Sequence, residues 1–277
     1  MCGSCQLGKQ SKAKHSGTQT FATSKPFELL HLDLMGPTGI ESLGGMRYIM
    51  VMVDDFTSYT WVQPESYATL CIRLQNEKGL KIDQIQSDRG KEFENSYMQS
   101  FCMRSGISQE FSPPIIPQQN GVVERKNSVI QEMARAILHN KEVARNLWGK
   151  AINTACHMVN MVYFRLGTKK TSYELWRGRK PNVKYFRIFE STCFILKDRE
   201  NVGKFDSRSD EGIFLGYSST SKAYRVYNKR IMKVIETVNV VTDESSDSGS
   251  EKFSEEIPKE ILPPELREVQ EIVEQVL

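Results

Sequence analysis

Three acidic residues interrupt or end apolar segments of this 277-residue chain, and each has the chemistry of a hard-metal ligand. Asp33 falls inside an alternating run, between Leu32 and Leu34 and on the opposite face. Asp88 ends the apolar stretch Ile82 to Ser87, just before Arg89-Gly90. Glu124 opens a long helical pattern, with thirty-five residues between it and Asp88. Carboxylates gathered without a counter-charge repel and shift their pKa values upward; with divalent cations they become ligands. Two such cations ~3.5–4 Å apart stabilise both attacking and leaving oxygens in phosphodiester chemistry. The cofactor expected on these grounds is Mg²⁺ or Mn²⁺. Asn127 lies three residues after Glu124 on one helix face, placed to order the site or touch a phosphate.

The elements that must position these residues follow from periodicity and punctuation. Leu30, Leu32 and Leu34 alternate with His31 and Asp33, the period of a strand. Tyr48 to Val53 reads as a buried second strand, and Tyr59 to Gln63 as a third, stopped by Pro64. A helix over Tyr67 to Asn76 precedes Gly79, and Ile82 to Ser87 is a fourth strand. Asn95 caps a helix that Gly106 ends after Ser105, and Ile107 to Phe111 is a fifth strand. The segment from Pro113 to Gly121 is a loop. Val123, Ile130, Met133, Ala134, Ile137 and Leu138 make one helical stripe, and Leu147 to Phe164 a second apolar helix. This order predicts an α/β sheet of ribonuclease-H-like topology. After Lys180-Pro181 come four short strands, Phe189–Leu196, Glu211–Tyr217, Ala223–Tyr227 and Ile231–Val240, as in a small β-barrel.

Composition sets the outer limits. At 39% hydrophobic and 26% charged residues the chain can bury a core. No apolar run approaches the ~18 residues of a membrane span, and residues 1–20 hold no signal-like segment, so a soluble intracellular protein is expected. The net charge of +3 conceals an asymmetry. Residues 243–277 carry eleven acidic and three basic residues, a net of −8, which leaves +11 on residues 1–242. A basic body with an acidic tail suits a polyanion-binding protein. Cys71, Cys102, Cys156 and Cys193 are isolated in apolar contexts and read as buried thiols. Only Cys2-x-x-Cys5 has ligand spacing. Even with His15 it supplies three of the four ligands of a tetrahedral zinc site, so no structural zinc is expected from this chain alone. Gly3 to Lys9 mimics a phosphate-binding loop but lacks the required Ser or Thr and a preceding strand. Trp61, Trp148 and Trp176 read as packing anchors, and His139 and His157 as packing or capping residues. Arg177 to Lys184 is a basic stretch, either a phosphate contact or a solvated linker.

The motifs His31-Leu32-Asp33-Leu34-Met35-Gly36-Pro37, Asp54-Asp55-Phe56 and Gln86-Ser87-Asp88-Arg89-Gly90-Lys91-Glu92-Phe93 resemble the integrase of copia-type long-terminal-repeat retrotransposons. Pro117 to Asn127, Tyr173-Glu174-Leu175-Trp176, Gly178 to Pro181, Lys204-Phe205-Asp206, Asp210 to Tyr217 and Ala223 to Val226 extend the resemblance, in family order, over most of 2–242. It implies that Asp33, Asp88 and Glu124 are the D,D(35)E catalytic and metal-binding triad. Asn120, Gly121, Arg125, Lys126 and Asn127 are then the candidate nucleic-acid contacts, and Cys2 and Cys5 the remnant of an upstream zinc domain. Residues 1–22 would be that remnant and a linker, 23–182 the ribonuclease-H-like core, 188–242 an SH3-like barrel, and 243–277 an acidic disordered connector. The implied activity is Mg²⁺-dependent 3′-end cleavage and strand transfer on double-stranded DNA, by a homo-oligomer without a membrane partner. The implied location is the nucleus, after a cytoplasmic particle. A catalytically inactive nucleic-acid-binding remnant and a ribonuclease-H-like nuclease are the rival functions. Three departures from the family stand out. The stretch between Trp61-Val62 and Leu74 is shorter by roughly two to three helical turns, which puts the helix there in question. Lys91 replaces a glycine and Ser58 an arginine. Two upstream histidines are absent.

Overall fold

The computed structural model describes residues 23–63, 66–112, 121–140, 144–197, 204–219 and 221–243. Its first sheet holds β1 (Leu30–Met35), β2 (Ile49–Asp54), β3 (Thr60–Gln63), β4 (Gln84–Ser87) and β5 (Ser108–Phe111). Their order is β3-β2-β1-β4-β5. The pairs β1–β2 and β2–β3 are antiparallel, whereas β1–β4 and β4–β5 are parallel. An antiparallel meander joined through its first strand to two parallel strands is the ribonuclease-H-like arrangement.

Strand alternation divides the core into two layers, because successive side chains leave a strand on opposite faces. Leu30 and Leu32 pack with Met50 and Met52 against helices α1 (Tyr67–Lys78) and α2 (Ser96–Ser105). On the other face Met35, Val51 and Val53 pack against α3 (Gly121–Asn140) and α4 (Trp148–Val162). The helix expected over 67–76 therefore forms, despite the shortened stretch before it, and runs on to Lys78. Ser66 caps its start by accepting from the Thr69 amide, and Gly79, at φ 64°, ends it in the left-handed conformation. Leu70, Cys71 and Leu74 are buried against the sheet. Asn95 and Gly106 bound α2 as anticipated. A fifth helix, α5 (Ser172–Arg177), was not anticipated; its Thr171–Glu174 pair forms a full capping box.

The second sheet holds β6 (Thr192–Leu196), β7 (Ser209–Tyr217), β8 (Tyr224–Asn228), β9 (Lys233–Thr237) and β10 (Val240–Asp243), in the order β10-β6-β7-β8-β9. The single strand expected over 231–240 is thus two strands on opposite edges. The chain turns at Val238-Asn239, where the Thr237 hydroxyl accepts from the Asn239 amide at 3.1 Å. One face of this sheet closes on itself through Cys193, Ile195, Phe214, Tyr224 and Val226. The other sends Ile213, Leu215 and Tyr227 into the cluster formed by α3 and α4, so the two sheets share a core. Close approach requires Gly216: a β-carbon there would lie 2.4 Å from the Thr154 hydroxyl on α4. Its φ of +123° also strains any other residue, and a register shift in β7 falls at the same place. All four cysteines in the described residues are buried free thiols. Among those residues no helix is long and apolar enough to cross a membrane.

His157 of α4 stacks on Tyr217 of β7, centroids 4.2 Å apart, with Phe186 alongside. Burial pushes its pKa down to about 4. Such a group is neutral in both folded and unfolded states above pH ~6.5. Below that the unfolded chain takes up a proton that the folded chain refuses until about pH 4, so stability falls as pH drops through this window. Chemical unfolding is expected to show roughly 2 kcal/mol less stability at pH 5 than at pH 7 from this residue. The variant His157→Phe, which keeps the stack, should lose that component of the acid sensitivity.

Candidate metal centre

The site starts from a polar break in each of two apolar stripes. On β1, His31 and Asp33 share the face of Met35, which looks toward α3. On α3 the buried stripe Val123, Ile130 and Ala134 includes Asn127, only 7% exposed. Docking that stripe on the sheet brings the two polar residues together, and the Asn127 amide donates to Asp33 Oδ2. Asp33 Oδ1 accepts from the Leu34 amide at 2.9 Å. Because β4 runs parallel to β1 at its side, Asp88 emerges at the same end of the sheet. Its Oδ1 accepts from the Gly90 amide at 3.1 Å, which shapes the turn after the strand. Glu124 stands exposed in the first turn of α3, one turn before Asn127.

Electrostatics bear most on Asp33. Asp33 is raised to about 6, first by burial and then by the negative charges of Asp88 and Glu124; the bonds from Leu34 and Asn127 oppose the rise. Two carboxylates from distant segments thus act on the third. Among the described residues no three His, Cys, Asp or Glu side chains are drawn together closely enough to hold a metal ion as they stand. The donor set is nevertheless what a hard divalent cation takes: carboxylate oxygens only, one partly desolvated and pressed by like charge. Asn127 Oδ1, on the same amide that donates to Asp33, is buried without a hydrogen-bond partner. The residues fit Mg²⁺ or Mn²⁺.

The other sequence-derived candidates divide. Asn120, Cys2 and Cys5 lie outside the described residues. Gly121 is buried beside Arg125, whose guanidinium would meet a β-carbon there at 3.2 Å. Arg125 is exposed. Lys126 is half-buried near Cys156 and Arg165, and its pKa is lowered, first by burial. A helix turns 100° per residue, so Lys126 and Glu124 face nearly opposite directions and cannot serve one surface.

Asp54 and Asp55, part of the sequence resemblance, take structural work at the start of β1. Asp54 is wholly buried and accepts from the Phe27 amide (2.8 Å) and from the Thr57 amide (2.8 Å) and hydroxyl (2.6 Å). Asp55 accepts from Thr23 at 2.7 Å and contacts His31 Nε2 at 3.2 Å. Burial alone would raise the Asp55 carboxyl, but the bonds from His31 and Thr23 outweigh it and hold the carboxyl low. Arg165 donates to the carbonyls of Asp55 (3.1 Å) and Phe56 (3.2 Å). This network escaped the sequence analysis, though Asp54-x-x-Thr57 carries the spacing of a side-chain-capped turn.

Comparison with known proteins gives this arrangement its relatives. Residues 191–256 match the family model described as the retroviral polymerase SH3-like domain. The retrovirus-related Pol polyprotein from transposon TNT 1-94 of Nicotiana tabacum is 28% identical over 274 residues, covering 95% of this chain and 20% of the relative. That from transposon RE2 of Arabidopsis thaliana is 29% identical over 231 residues, covering 80% and 16%. The chain therefore spans about a fifth or less of the curated relatives it matches. Its homologues are Pol polyproteins of plant copia-type transposons, as the motifs implied. Among solved structures, the magnesium complex of the HTLV-2 integrase catalytic core domain (trimeric form) matches at 23% identity and TM-score 0.40. That alignment covers 54% of this chain and 96% of the other. A simian T-cell lymphotropic virus intasome in complex with the PP2A regulatory subunit B56 gamma matches at 17% identity and TM-score 0.45. There 81% of this chain and 80% of the other are covered. At these scores the likeness is loose, and the fold follows from the strand order.

The Asn127 contact makes a prediction about charge. Asn127→Asp sets a fourth carboxylate against Asp33, and in EDTA it should lower stability by roughly 1–2 kcal/mol relative to Asn127→Ala. Adding Mg²⁺ should return most of that loss in a thermal melt. A loss of equal size with and without Mg²⁺ would mean that Asn127 only packs.

Proposed function

We propose that the chain acts as a retrotransposon integrase, a DNA polynucleotidyl transferase whose active residues are Asp33, Asp88 and Glu124. The observation that supports this is a sheet of ribonuclease-H-like order that carries Asp33 and Asp88 toward one end, with α3 docking Asn127 on the Asp33 carboxylate. The Pol polyprotein relatives support the integrase class. The substrate is double-stranded DNA, the working form a homo-oligomer, and the place of action the nucleus.

The chemistry is two displacements at phosphorus. In the first, a water oxygen bonds to the phosphorus next to the element's 3′ end. The bridging 3′ oxygen leaves as a hydroxyl, taking up the proton that the water loses. In the second, that hydroxyl oxygen bonds to a target-strand phosphorus, and the target's own 3′ oxygen leaves as a hydroxyl, taking up the proton that the attacking hydroxyl loses. One phosphodiester is exchanged for another, so joining needs no outside energy source. Divalent cations held by the three carboxylates would supply charge stabilisation to the attacking and leaving oxygens. The chain's own contribution is to fix the carboxylates. The β1 register aims Asp33 at α3, Asn127 orients its carboxylate, and the Gly90 amide holds Asp88. Glu124, on a flexible exposed stem, closes the set from the helix. Positioning and preorganised charge account for rate in phosphoryl transfer of this kind.

The test is a Mg²⁺-dependent assay with a short element-end duplex and a plasmid target. Asp88→Asn and Glu124→Gln should each lower cleavage and joining by at least ~100-fold, with duplex binding unchanged. Equal activity in wild type and variants refutes the triad. Cleavage without joining makes the protein a nuclease, and binding without cleavage makes it an inactive remnant.

A further inference from the structure

The segment between α4 and β6 is strongly basic. From Arg165 to Arg187 it holds eight basic residues and one acidic residue, Glu174. Some of these charges are committed internally. Arg165 ties down Asp55 and Phe56, Arg187 donates to the carbonyls of Lys184 and Phe186, and Arg177 pairs with Glu77. Glu174 is held by the Thr171 amide at 2.8 Å as the return half of the capping box, with Lys170 and Lys180 nearby. Lys169, Arg179, Lys180 and Lys184 stand exposed, and among the described residues none forms an ion pair with a carboxylate.

The frame beneath them is ordered rather than floppy. Trp176 is 2% exposed and packs edge-on to Phe27 (5.1 Å) and Trp61 (4.8 Å), which pins α5 to the sheet. Gly178, at φ 69°, ends that helix and turns the chain outward. Arg179 Nε donates to the Tyr173 hydroxyl at 3.2 Å, and Asn182 accepts from the Lys184 amide at 3.1 Å. Cations on a fixed backbone lose less freedom on binding than cations on a tether. Trp176 joins the layer of Leu30 and Leu32, and Phe186, two residues after Lys184, packs against His157 of α4, so the segment is anchored at both ends.

We infer that Lys169, Arg179, Lys180 and Lys184 form a docking strip for the phosphate backbone of duplex DNA, separate from the three-carboxylate site. Unpaired exposed cations in a run gain by displacing counterions from a polyanion, and they read no base sequence. The strip's choice of DNA rests on the proposed integrase function, but its detection does not.

The test uses the full chain in EDTA, where no metal-dependent step intervenes. Fluorescence anisotropy with two unrelated labelled duplexes is followed across salt concentration. The triple variant R179A/K180A/K184A should weaken both duplexes alike and reduce the slope of log affinity against log salt by roughly two to three. Replacing the same residues by Lys, Arg and Arg should restore the slope. Thermal melts identify a misfolded variant, and Lys169→Ala/Lys184→Ala then serves in its place with a slope change of roughly two. An unchanged slope, or a loss confined to one sequence, overturns the strip while leaving the triad test untouched. A loss on duplex RNA with none on duplex DNA also overturns it. If the triad variants keep full activity but the slope still falls, the integrase proposal fails and the strip stands.

Discussion

A half-buried carboxylate in the field of two others is costly unless positive charge arrives to neutralise it, and Asp33 occupies that position. Its pKa is pushed up by desolvation and by Asp88 and Glu124, with only two hydrogen bonds working the other way. Sheet and helices converge on that tension. The alternation of β1 sends Leu30 and Leu32 into one layer and leaves Asp33 to the other. Parallel pairing of β4 with β1 carries Asp88 to the same end. The stripe that buries α3 delivers Asn127 to the carboxylate, with Glu124 exposed one turn earlier on the same helix. Moving β1 by one residue would turn every one of its side chains over and dissolve the site.

The second sheet bears on the site through α4. One face of that helix packs on α3 and the first sheet, while Thr154 and His157 meet Gly216 and Tyr217 of β7. Ile213, Leu215 and Tyr227 complete the same apolar cluster as Val123 and Ile130 of α3. Loosening the β7 contact would therefore reach the helix that holds Glu124 and Asn127. A glycine with positive φ and a strand irregularity at that contact are backbone accommodations that permit close packing.

Much of this was legible in the sequence, for reasons that differ by element. Leu30-x-Leu32-x-Leu34 announces β1 because period two has no helical equivalent. Asn95 and Gly106 announce α2 because caps need those residue types. The six residues of α5 are too few to show a helical period, and only the Thr171–Glu174 capping box marks it. The stretch 231–240 looks continuous because Val238-Asn239 lacks Gly and Pro, although the chain turns there. Triad spacing shows which acids are candidates but not that Lys126 turns away from Glu124. That follows from helix geometry once the buried stripe is known. The roles of His31 and Asp55 depend on Thr23 and Arg165, which lie far away in sequence, and no local pattern reveals them.

The central claim is that Asp33, Asp88 and Glu124 jointly hold divalent cations. It is tested most directly by counting bound Mn²⁺ per chain, from the loss of the free-ion electron paramagnetic resonance signal during titration. The account predicts saturable binding in the wild-type chain, weakened at least ~10-fold by neutralising any one of the three acids. Binding that is absent in the wild type, or unchanged when any of the three is neutralised, would contradict it.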